Sequence, residues 1–300
     1  MRILITGASG LLGQSLYKHF STHNTLLGLW HNRPDPNIVG MFIDLTNQKE
    51  INKAFKEFQP DVCLHAGAVS NPDFCEQNPN FAYQINQKAS EYIRDACIIR
   101  NTRVVFYSTD YVFDGNKSFY TESDKTCPLQ VYGKTKLAAE NVFRSVSNSL
   151  ICRLSLLYGD QHNDRNSFLY DVIEKLVQKR HIYLCDQQIR YPLFCPDVAK
   201  ITQALIDKRC NGIFHFSGPN SITKYEWGKL IEEKLLGHIG LIHPNPVFES
   251  IIKPPRRRAL RPKNVCLNTE KLLSFYRTKL KTIDEGSTHI VADFKKTMKE

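Results

Sequence analysis

The stretch that decides the fold is RILITGASGLLG, residues 2–13. Its apolar first part, Arg2–Thr6, reads as a short strand, and apolar residues at helical spacing follow the last glycine. Gly7, Gly10 and Gly13 join the strand to the helix. Strand, glycine turn and helix in this order open an α/β fold, because such a unit builds a parallel sheet. We therefore predict a doubly wound parallel sheet of the Rossmann type.

The glycine spacing also predicts what this turn binds. The first glycine allows the turn, the second lets the backbone approach a pyrophosphate, and the third lets the helix pack on the strand. The helix N-terminus adds free N–H groups and a dipole that favours an anion. We expect a dinucleotide here rather than a merely tight turn. The expected contacts at this turn are Gly7, Ser9, Gly10, Leu11, Leu12 and Gly13.

The end of the second predicted strand, Asn24–Trp30, indicates which dinucleotide is preferred. A carboxylate at this point would bind the ribose 2′-hydroxyl of NAD, and none is present. His31 and Arg33 follow instead and can neutralise a 2′-phosphate, unless both simply face water. We predict NADP(H) as the preferred cofactor, with NAD(H) as the alternative. Further expected contacts are Asp44 with the adenine, and the small residues Ala66, Gly67 and Ala68 where the fourth strand ends.

A second group of residues indicates proton-transfer chemistry. If Val131–Arg144 is helical, Tyr132 and Lys136 lie one turn apart on one face. A nearby ammonium lowers the pKa of a phenol, which would make Tyr132 a usable acid or base. Thr109 ends a predicted strand at the edge where parallel sheets bind ligands, so its hydroxyl and the phenol can meet one substrate oxygen. The plainer alternatives are that the Tyr-x-x-x-Lys spacing occurs by chance and that the Thr109 hydroxyl only caps a turn.

The remaining pattern predicts two domains. Residues 1–159 would form the dinucleotide domain, and the polar loop after Gly159 would lead into a smaller α/β substrate domain, 160–300. A helix at 196–207 is expected to pack back on the first domain.

Composition limits the function classes. The formal net charge of +10 suits anionic cofactors and sugar nucleotides, and without a basic helix interleaved with aromatics it does not favour nucleic acid. The nine cysteines form no C-x-x-C pair, which predicts neither disulfides nor a metal site, and His65 reads as a satisfied strand-end histidine. With no apolar run long enough for a membrane and no charged leader, we expect a cytoplasmic protein.

Two strings carry a family resemblance, namely STDYVFDG at 108–115 and VYGKTK at 131–136. Together with the glycine turn, they resemble the extended short-chain dehydrogenase/reductase superfamily. Within it, the chain resembles the dTDP-4-dehydrorhamnose reductases, also through Arg261-Pro262-Lys263-Asn264. The resemblance implies Thr109, Tyr132 and Lys136 as the catalytic group. It further implies reduction of a nucleoside-diphosphate 4-keto-6-deoxy sugar in deoxysugar and cell-surface polysaccharide synthesis.

The substrate half is expected to contact the nucleotide sugar. An arginine run at 256–258 with Arg261 either grips a diphosphate or faces water. The chain departs from the reductases where they often read R-T-S-W, because Leu154 and Leu156 replace Thr and Trp. A homodimer is a further expectation. The expected substrate contacts are Asp110, Val112, Phe113, Arg190, Arg258 and Arg261.

A second relative competes with the reductases. The regulatory β subunit of methionine adenosyltransferase is similar in the same two strings and also in QQIRYP at 187–192. That resemblance implies an NADP-binding protein whose partner is a methionine adenosyltransferase catalytic subunit, without turnover of its own.

Overall fold

The structure is a computed structural model that describes residues 1–32, 34–160, 168–245 and 258–297. Arg33, Arg256 and Arg257, which were considered above as anion ligands, lie outside the described residues. The strands are β1 Arg2–Thr6, β2 Thr25–Trp30, β3 Gly40–Phe42, β4 Val62–His65, β5 Arg103–Thr109, β6 Ser149–Leu154, β7 Leu157–Tyr158, β8 Ile182–Leu184, β9 Ile189–Arg190, β10 Leu193–Phe194, β11 Gly212–Phe216, β12 Ile222–Thr223 and β13 Ile242–Pro244. The helices are α1 Leu11–Phe20, α2 Gln48–Phe58, α3 Pro72–Gln77, α4 Pro79–Tyr83, α5 Ala89–Ile99, α6 Val131–Arg144, α7 Phe168–Val177, α8 Cys195–Asp207, α9 Lys224–Leu236, α10 Glu270–Phe275 and α11 Ile283–Thr297.

The central sheet has seven strands in the order β11-β6-β5-β4-β1-β2-β3, and every neighbouring pair is parallel. The order reverses between β1 and β4, so the carboxyl ends of these strands flank the crevice where ligands bind in such sheets. The predicted Rossmann-type α/β class is therefore confirmed.

Helices cover both faces of this sheet, because alternate side chains along each strand point to opposite faces. Ile3 and Ile5 of β1 face the layer that contains α1 and α8, whereas Leu4 faces the layer that contains α2, α5 and α6. All three β1 side chains are fully buried. Helix α8 packs against α1, so residues 195–207 lie on the main sheet.

A separate apolar cluster lies outside the main sheet and joins α7, α9, α11 and the β8–β13 pair. We call this region the distal lobe. Trp227 of α9 is buried at its centre and donates from Nε1 to Ser287 Oγ of α11 at 2.9 Å. Thr223 caps α9 through a capping box with Glu226, as its position predicts. The division of the chain at residue 159 stays a prediction.

The helical segment that covers residues 79–99 is long but irregular. Helix α4 runs directly into a π-helical turn, Gln84–Lys88, which runs directly into α5. Such turns often mark functional positions, because they shift the register of the backbone bonds. In the described parts of the chain, no helix is long and apolar enough to cross a membrane.

Candidate active site

The glycine turn has the geometry that a close-lying pyrophosphate requires. Gly7 has φ 65°, and a Cβ there would lie 2.7 Å from Gly67 Cα. A Cβ on Gly13 would lie 2.1 Å from the Gly7 carbonyl oxygen, so this position also excludes any side chain. Gly10 precedes α1 and offers no side-chain cap, which leaves backbone N–H groups at the helix start for a ligand.

The other residues predicted at this turn differ in how far their side chains are exposed. Leu12 is buried in the core, whereas Ser9 and Leu11 are half-buried. The Ser9 carbonyl accepts from Gln14 Nε2 at 3.1 Å, and this bond ties the glycine turn to the start of α1.

A cleft of about 230 Å³ opens beside the glycine turn, and we call it the Gly7 cleft. It brings together five of the residues predicted to bind the cofactor, namely Gly7, His31, Asp44, Gly67 and Ala68. Ala66 instead packs on the core beneath it. The sequence patterns did not identify several apolar wall residues of this cleft, which are Leu29, Trp30, Ile43, Leu45, Val69, Phe81 and Ile85.

The far end of the Gly7 cleft carries the two polar residues predicted near the adenosine. The His31 ring stacks on Phe42 with centroids 5.2 Å apart. Asp44 Oδ1 accepts from both the backbone N–H and the hydroxyl of Thr46, each at 2.8 Å. The Thr46 bonds lower the pKa of Asp44, so this carboxylate stays an acceptor.

His65 holds the wall of the Gly7 cleft and is a neutral, fully hydrogen-bonded histidine. Ser90 Oγ donates to the Asn86 carbonyl at 2.7 Å, so it accepts from His65 Nε2 at 3.1 Å. His65 Nδ1 then accepts from Thr6 Oγ1 at 2.7 Å, and Thr6 Oγ1 accepts from Gly67 N at 3.0 Å. Burial lowers the pKa of His65 to about 3, in agreement with the satisfied histidine expected from its position.

Asn86 is a second positioning residue, and its role was missed from the sequence. Its side chain accepts from Val69 N at 2.8 Å and donates to Val69 O at 3.1 Å and to Thr135 Oγ1 at 2.9 Å. It lies in the π-helical turn and is 1% exposed. Asn86 therefore ties the wall of the Gly7 cleft to α6. A polar residue within an otherwise periodic helix is the only signal that the sequence contains.

Thr109, Asp110 and Tyr132 meet at the carboxyl end of β5. Thr109 Oγ1 donates to Asp110 Oδ1 at 3.1 Å and accepts from Tyr111 N at 3.2 Å. The Tyr132 side chain lies beside Thr109 and Asp110. The structure thus places the predicted hydroxyl and the predicted phenol near each other.

Lys136 lies one turn after Tyr132 on α6 but does not act on Tyr132 as expected. Burial and the neighbouring Asp110 raise the pKa of Tyr132 above its usual value, so the expected lowering by Lys136 is wrong for the protein alone. The Lys136 ammonium lies 4.0 Å from the centroid of the Phe106 ring and forms no hydrogen bond with a described residue. Burial lowers the pKa of Lys136 to about 7. Its spacing from Tyr132 on α6 was right, but its electrostatic effect was not.

A buried ion pair anchors this end of α6. Arg153 NH2 and Glu140 Oε2 are 2.8 Å apart, and both side chains are 0% exposed. Glu140 Oε1 also accepts from Ser108 Oγ at 2.6 Å. Because arginine only donates, its NH1 contact at 3.4 Å requires His215 Nε2 to be an acceptor. The pair joins α6 to β5, β6 and β11.

The residues predicted to contact substrate lie in different environments. Val112 and Phe113 are 0% exposed in a cluster with Tyr120, and their predicted contacts with substrate stay a prediction. Arg190 is buried, and its NH1 donates to the Ile189 and Pro262 carbonyls at 2.8 and 3.1 Å. These contacts give Arg190 a structural role in the wall of the site.

Arg261 is also tethered, in this case to α3. Its NH1 and NH2 donate to the two oxygens of Asp73 at 3.0 and 2.8 Å. Arg261 also lies near the Tyr111 side chain, and the centroids of the Tyr111 and Tyr132 rings are 6.3 Å apart. Arg258 is exposed, and its charge acts on Asp73.

Lys224 is a further cation near Arg190 and Arg261, and the sequence patterns did not identify it. It is half-buried at the first turn of α9, with Nζ 4.9 Å from the Phe168 ring centroid and no hydrogen bond to a described residue. Burial and the charges of Arg261 and Arg190 lower its pKa to about 8. Cations that repel one another in one place favour a bound anion. Among the described residues, no group of three or more His, Cys, Asp or Glu is placed to hold a metal ion.

Nearly the whole chain matches a known protein family. The family described as RmlD substrate binding domain matches residues 1–296. The chain belongs to this family.

Relatives of known name fall into two groups. Methionine adenosyltransferase 2 subunit beta of Rattus norvegicus is 33% identical over 279 residues, which are 90% of this chain and 81% of the relative. The probable low-salt glycan biosynthesis reductase Agl14 of Haloferax volcanii is 30% identical over 278 residues, 91% of each chain. Both resemblances proposed from the motifs are confirmed as similarities by these relatives and by the structures below.

Solved structures of similar fold include dTDP-4-dehydrorhamnose reductases. The structure from Clostridium acetobutylicum has a TM-score of 0.82 and 27% identity, and covers 98% of this chain and 100% of that chain. A second, from Bacillus anthracis in complex with NADP, has a TM-score of 0.82 and 24% identity, with coverage of 97% and 98%.

Proposed function

We propose that this RmlD substrate binding domain protein is an NADP(H)-dependent reductase of a keto group on a nucleoside-diphosphate 4-keto-6-deoxy sugar. The observation that carries the proposal is that the buried Tyr132 phenol lies beside Thr109 and Asp110 at the carboxyl edge of β5. A phenol beside a second hydroxyl, with a buried ammonium one helical turn away, is arranged for proton transfer to a carbonyl oxygen. The named reductases among its relatives and similar structures support the same class.

The chain's residues fit a dinucleotide cofactor. The turn at Gly7 and Gly13 has no room for a Cβ, and free N–H groups of α1 face the place where a pyrophosphate would lie. The buried Lys136 ammonium, without a hydrogen-bond partner in the described chain, suits a ribose hydroxyl. The NADP complex of the Bacillus anthracis structure supports NADP(H), and NAD(H) stays the alternative.

The chemistry then divides between cofactor and chain. When bound, a reduced nicotinamide would supply the hydride that the carbonyl carbon gains. Tyr132 donates its proton to the carbonyl oxygen, and Thr109 hydrogen-bonds the same oxygen and orients it. Lys136 holds the ribose, and its charge favours the phenolate that remains. Lys224 would receive a phosphate of the substrate, because the neighbouring Arg190 and Arg261 are already tethered.

The test is NADPH oxidation by the purified chain with a panel of nucleoside-diphosphate keto sugars, beginning with dTDP-4-dehydrorhamnose. We expect turnover, a loss of at least about 100-fold in kcat for Tyr132→Phe, and little change in NADPH affinity. Tyr83→Phe, on an exposed position of α4, is the matched control and should retain full activity. Absence of turnover by folded wild-type protein across the panel would refute the reductase proposal.

A second candidate function rests on the named relatives. At 33% identity over 90% of the chain, methionine adenosyltransferase 2 subunit beta supports an NADP-binding regulatory subunit. Purification of tagged protein from its own cells, with and without added NADP, distinguishes the two functions. Stoichiometric recovery of a methionine adenosyltransferase, whose kinetics change on binding, would favour the regulatory role. We also propose that the protein forms a homodimer, which sedimentation would test. A division of the chain into two domains at residue 159 is a further proposal.

A further inference from the structure

Two side-chain acceptors hold the first turn of α6, the turn that carries Tyr132. Gln130 caps this turn locally, because its Oε1 accepts from Gly133 N at 2.7 Å. Glu76 of α3 binds it from 55 positions away, since its Oε2 accepts from Val131 N at 3.0 Å. The N–H groups at the start of a helix have no partner within the helix, so both bonds satisfy donors that α6 leaves free.

Glu76 also supplies a negative charge that this helix start lacks. The first turn of α6 contains no acidic residue of its own. A carboxylate near a helix N-terminus is favoured by the helix dipole, and a charged acceptor forms stronger hydrogen bonds than a neutral one. Glu76 is half-buried, so water competes only in part for its bond. Loss of this carboxylate should therefore loosen the backbone beside Tyr132.

Helix α3 is well placed to support Glu76, because other bonds hold it to its surroundings. Cys75 Sγ donates to the carbonyl of Val69, a wall residue of the Gly7 cleft, at 3.3 Å. Asp73, one helical turn before Glu76, accepts from Arg261 NH2 at 2.8 Å. Residues three apart on a helix lie on the same face. Helix α3 thus links the cofactor cleft, the border of the proposed substrate site and the start of α6.

The first turn of α6 also lies directly against the segment that follows β5. A Cβ on Gly133 would lie 2.2 Å from the Tyr111 carbonyl oxygen, so no side chain fits between them. The centroids of the Tyr111 and Tyr132 rings are 6.3 Å apart. A shift of this turn would therefore change the position of Tyr132 relative to Thr109 and Asp110.

We infer that Glu76 is a positioning residue for Tyr132, because it holds the first N–H of α6 and thereby sets the place of the phenol at the carboxyl edge of β5. The inference rests on the proposed reductase function and deepens it, since it names a residue that acts through the proton donor. A displacement of about 1 Å at a reacting group can cost about 100-fold in rate. The plain alternative is a helix cap that contributes only to stability.

The first experiment needs no substrate and tests the placing of the Tyr132 ring. Tyrosine labelled with ¹³C at Cζ is followed by NMR, and Tyr132→Phe assigns the signal. Glu76→Met removes the acceptor at similar size and should shift the Tyr132 signal, whereas Glu76→Gln keeps an acceptor oxygen and should restore it. An unchanged signal in folded Glu76→Met would overturn the inference. A shift that persists in Glu76→Gln would reflect the lost charge alone and would also contradict it.

The second experiment uses turnover. Glu76→Met should lower kcat about tenfold, with KM and NADPH affinity within about twofold, and Glu76→Gln should restore most of kcat. Glu285→Met is the matched control, because Glu285 Oε2 accepts from Thr282 N at 2.8 Å at the start of α11. This control should lower stability without lowering kcat. Equal losses of kcat in Glu76→Met and Glu285→Met would assign Glu76 to stability alone and refute its positioning role.

A further variant covers the case in which Glu76→Met does not fold. Glu76→Asp keeps the charge but shortens the side chain by one methylene, and we expect the same shift and the same loss of kcat. A wild-type Tyr132 signal with normal kcat in Glu76→Asp would then overturn the inference. If the folded wild type reduces none of the sugars tested, the reductase proposal fails, and the NMR comparison still decides whether Glu76 positions Tyr132.

Discussion

Single buried polar side chains determine most of the chemistry at this edge of the sheet. Lys136 and Asp110 are both nearly inaccessible to solvent, and burial moves their pKa values toward neutrality from opposite directions. Such shifts favour functional groups over merely solvated ones, since they keep both protonation states accessible at working pH. The cost is stability, because a buried charge without a partner opposes folding.

Replacement of Lys136 by Met should therefore stabilise the protein. The pKa of Lys136 is lowered to about 7 in the folded chain, so between pH 7 and its normal value the unfolded chain binds a proton that the folded chain does not. Wild-type stability from this group thus rises with pH in that window. We expect Lys136→Met to be more stable by about 1–2 kcal/mol at pH 7, with a smaller difference at pH 9. Urea unfolding at both pH values measures this, and a destabilised variant would contradict it.

Lys224 is the described cation best placed to bind a substrate phosphate. Lys224→Met should raise KM for the nucleotide sugar about tenfold, or roughly 1.4 kcal/mol, and leave NADPH affinity unchanged. Lys229→Met is the matched control, because this exposed lysine of the same helix lies over the Tyr225 ring, 5.6 Å from its centroid. Steady-state kinetics with calorimetry for NADPH separates the two effects. Equal KM values for both variants would remove Lys224 from the substrate site.

At the scale of elements, the π-helical turn between α4 and α5 connects the cofactor side of the site to the catalytic helix. It places Asn86 where one side chain bonds the Val69 backbone and Thr135 of α6. It also places the Asn86 carbonyl where it accepts from Ser90. Ser90 is bonded to His65, which is linked through Thr6 to Gly67. The walls of the Gly7 cleft and the residue before Lys136 are therefore held by one irregular turn.

Removal of the Asn86 side chain should disturb stability and cofactor binding together. Asn86→Ala removes the bonds to the part-buried Val69 N–H and to Thr135, and we expect a loss of about 2–4 kcal/mol in unfolding free energy and a weaker NADPH complex. Asn80→Ala, at an exposed position of α4, should change neither. Chemical denaturation and fluorescence titration with NADPH are the measurements. Normal NADPH affinity in a folded Asn86→Ala variant would show that the turn does not position the cleft.

At the scale of the whole molecule, the segment that follows residue 257 connects the distal lobe to the main sheet. Arg190 donates to carbonyls of this segment, and Ile189 N donates to the Lys263 carbonyl at 2.9 Å. Asp73 of α3 accepts from Ala259 N and from Arg261. Asp73, on the side of the main sheet, thus holds the segment around Ala259 and Arg261, which borders the proposed substrate site.

Loss of the Asp73 charge should affect substrate more than fold. The Arg261–Asp73 pair is partly solvated, at 19% and 33% exposure, so Asp73→Asn should cost only about 0.5–1 kcal/mol of stability. We expect a several-fold higher KM for the nucleotide sugar with NADPH affinity retained, because the pair lies on the substrate side. Asp95→Asn, at an ion pair remote from the site, is the control. A rise in NADPH dissociation constant equal to that in KM would contradict this division.

Local sequence determined the parts of this protein that depend on neighbours along the chain. The glycine spacing specified the first turn, and the apolar period predicted α6 with its observed bounds, Val131–Arg144. Helical periodicity and strand alternation are set by backbone geometry alone, so they are readable without a partner. The roles of Thr109, Tyr132 and Lys136 stay predictions, although the structure places Tyr132 beside Thr109.

Only the tertiary structure decided the properties that depend on burial and on distant residues. Arg261 meets Asp73 across 188 positions, and Asn86 meets Thr135 across 49. No local pattern specifies such pairs. Desolvation of Lys136 and Tyr132 likewise follows from how several elements pack, which is why spacing predicted their proximity but not their pKa values. The glycine turn of residues 2–13 thus determined the kind of fold, and packing around β5 determined what its edge can do.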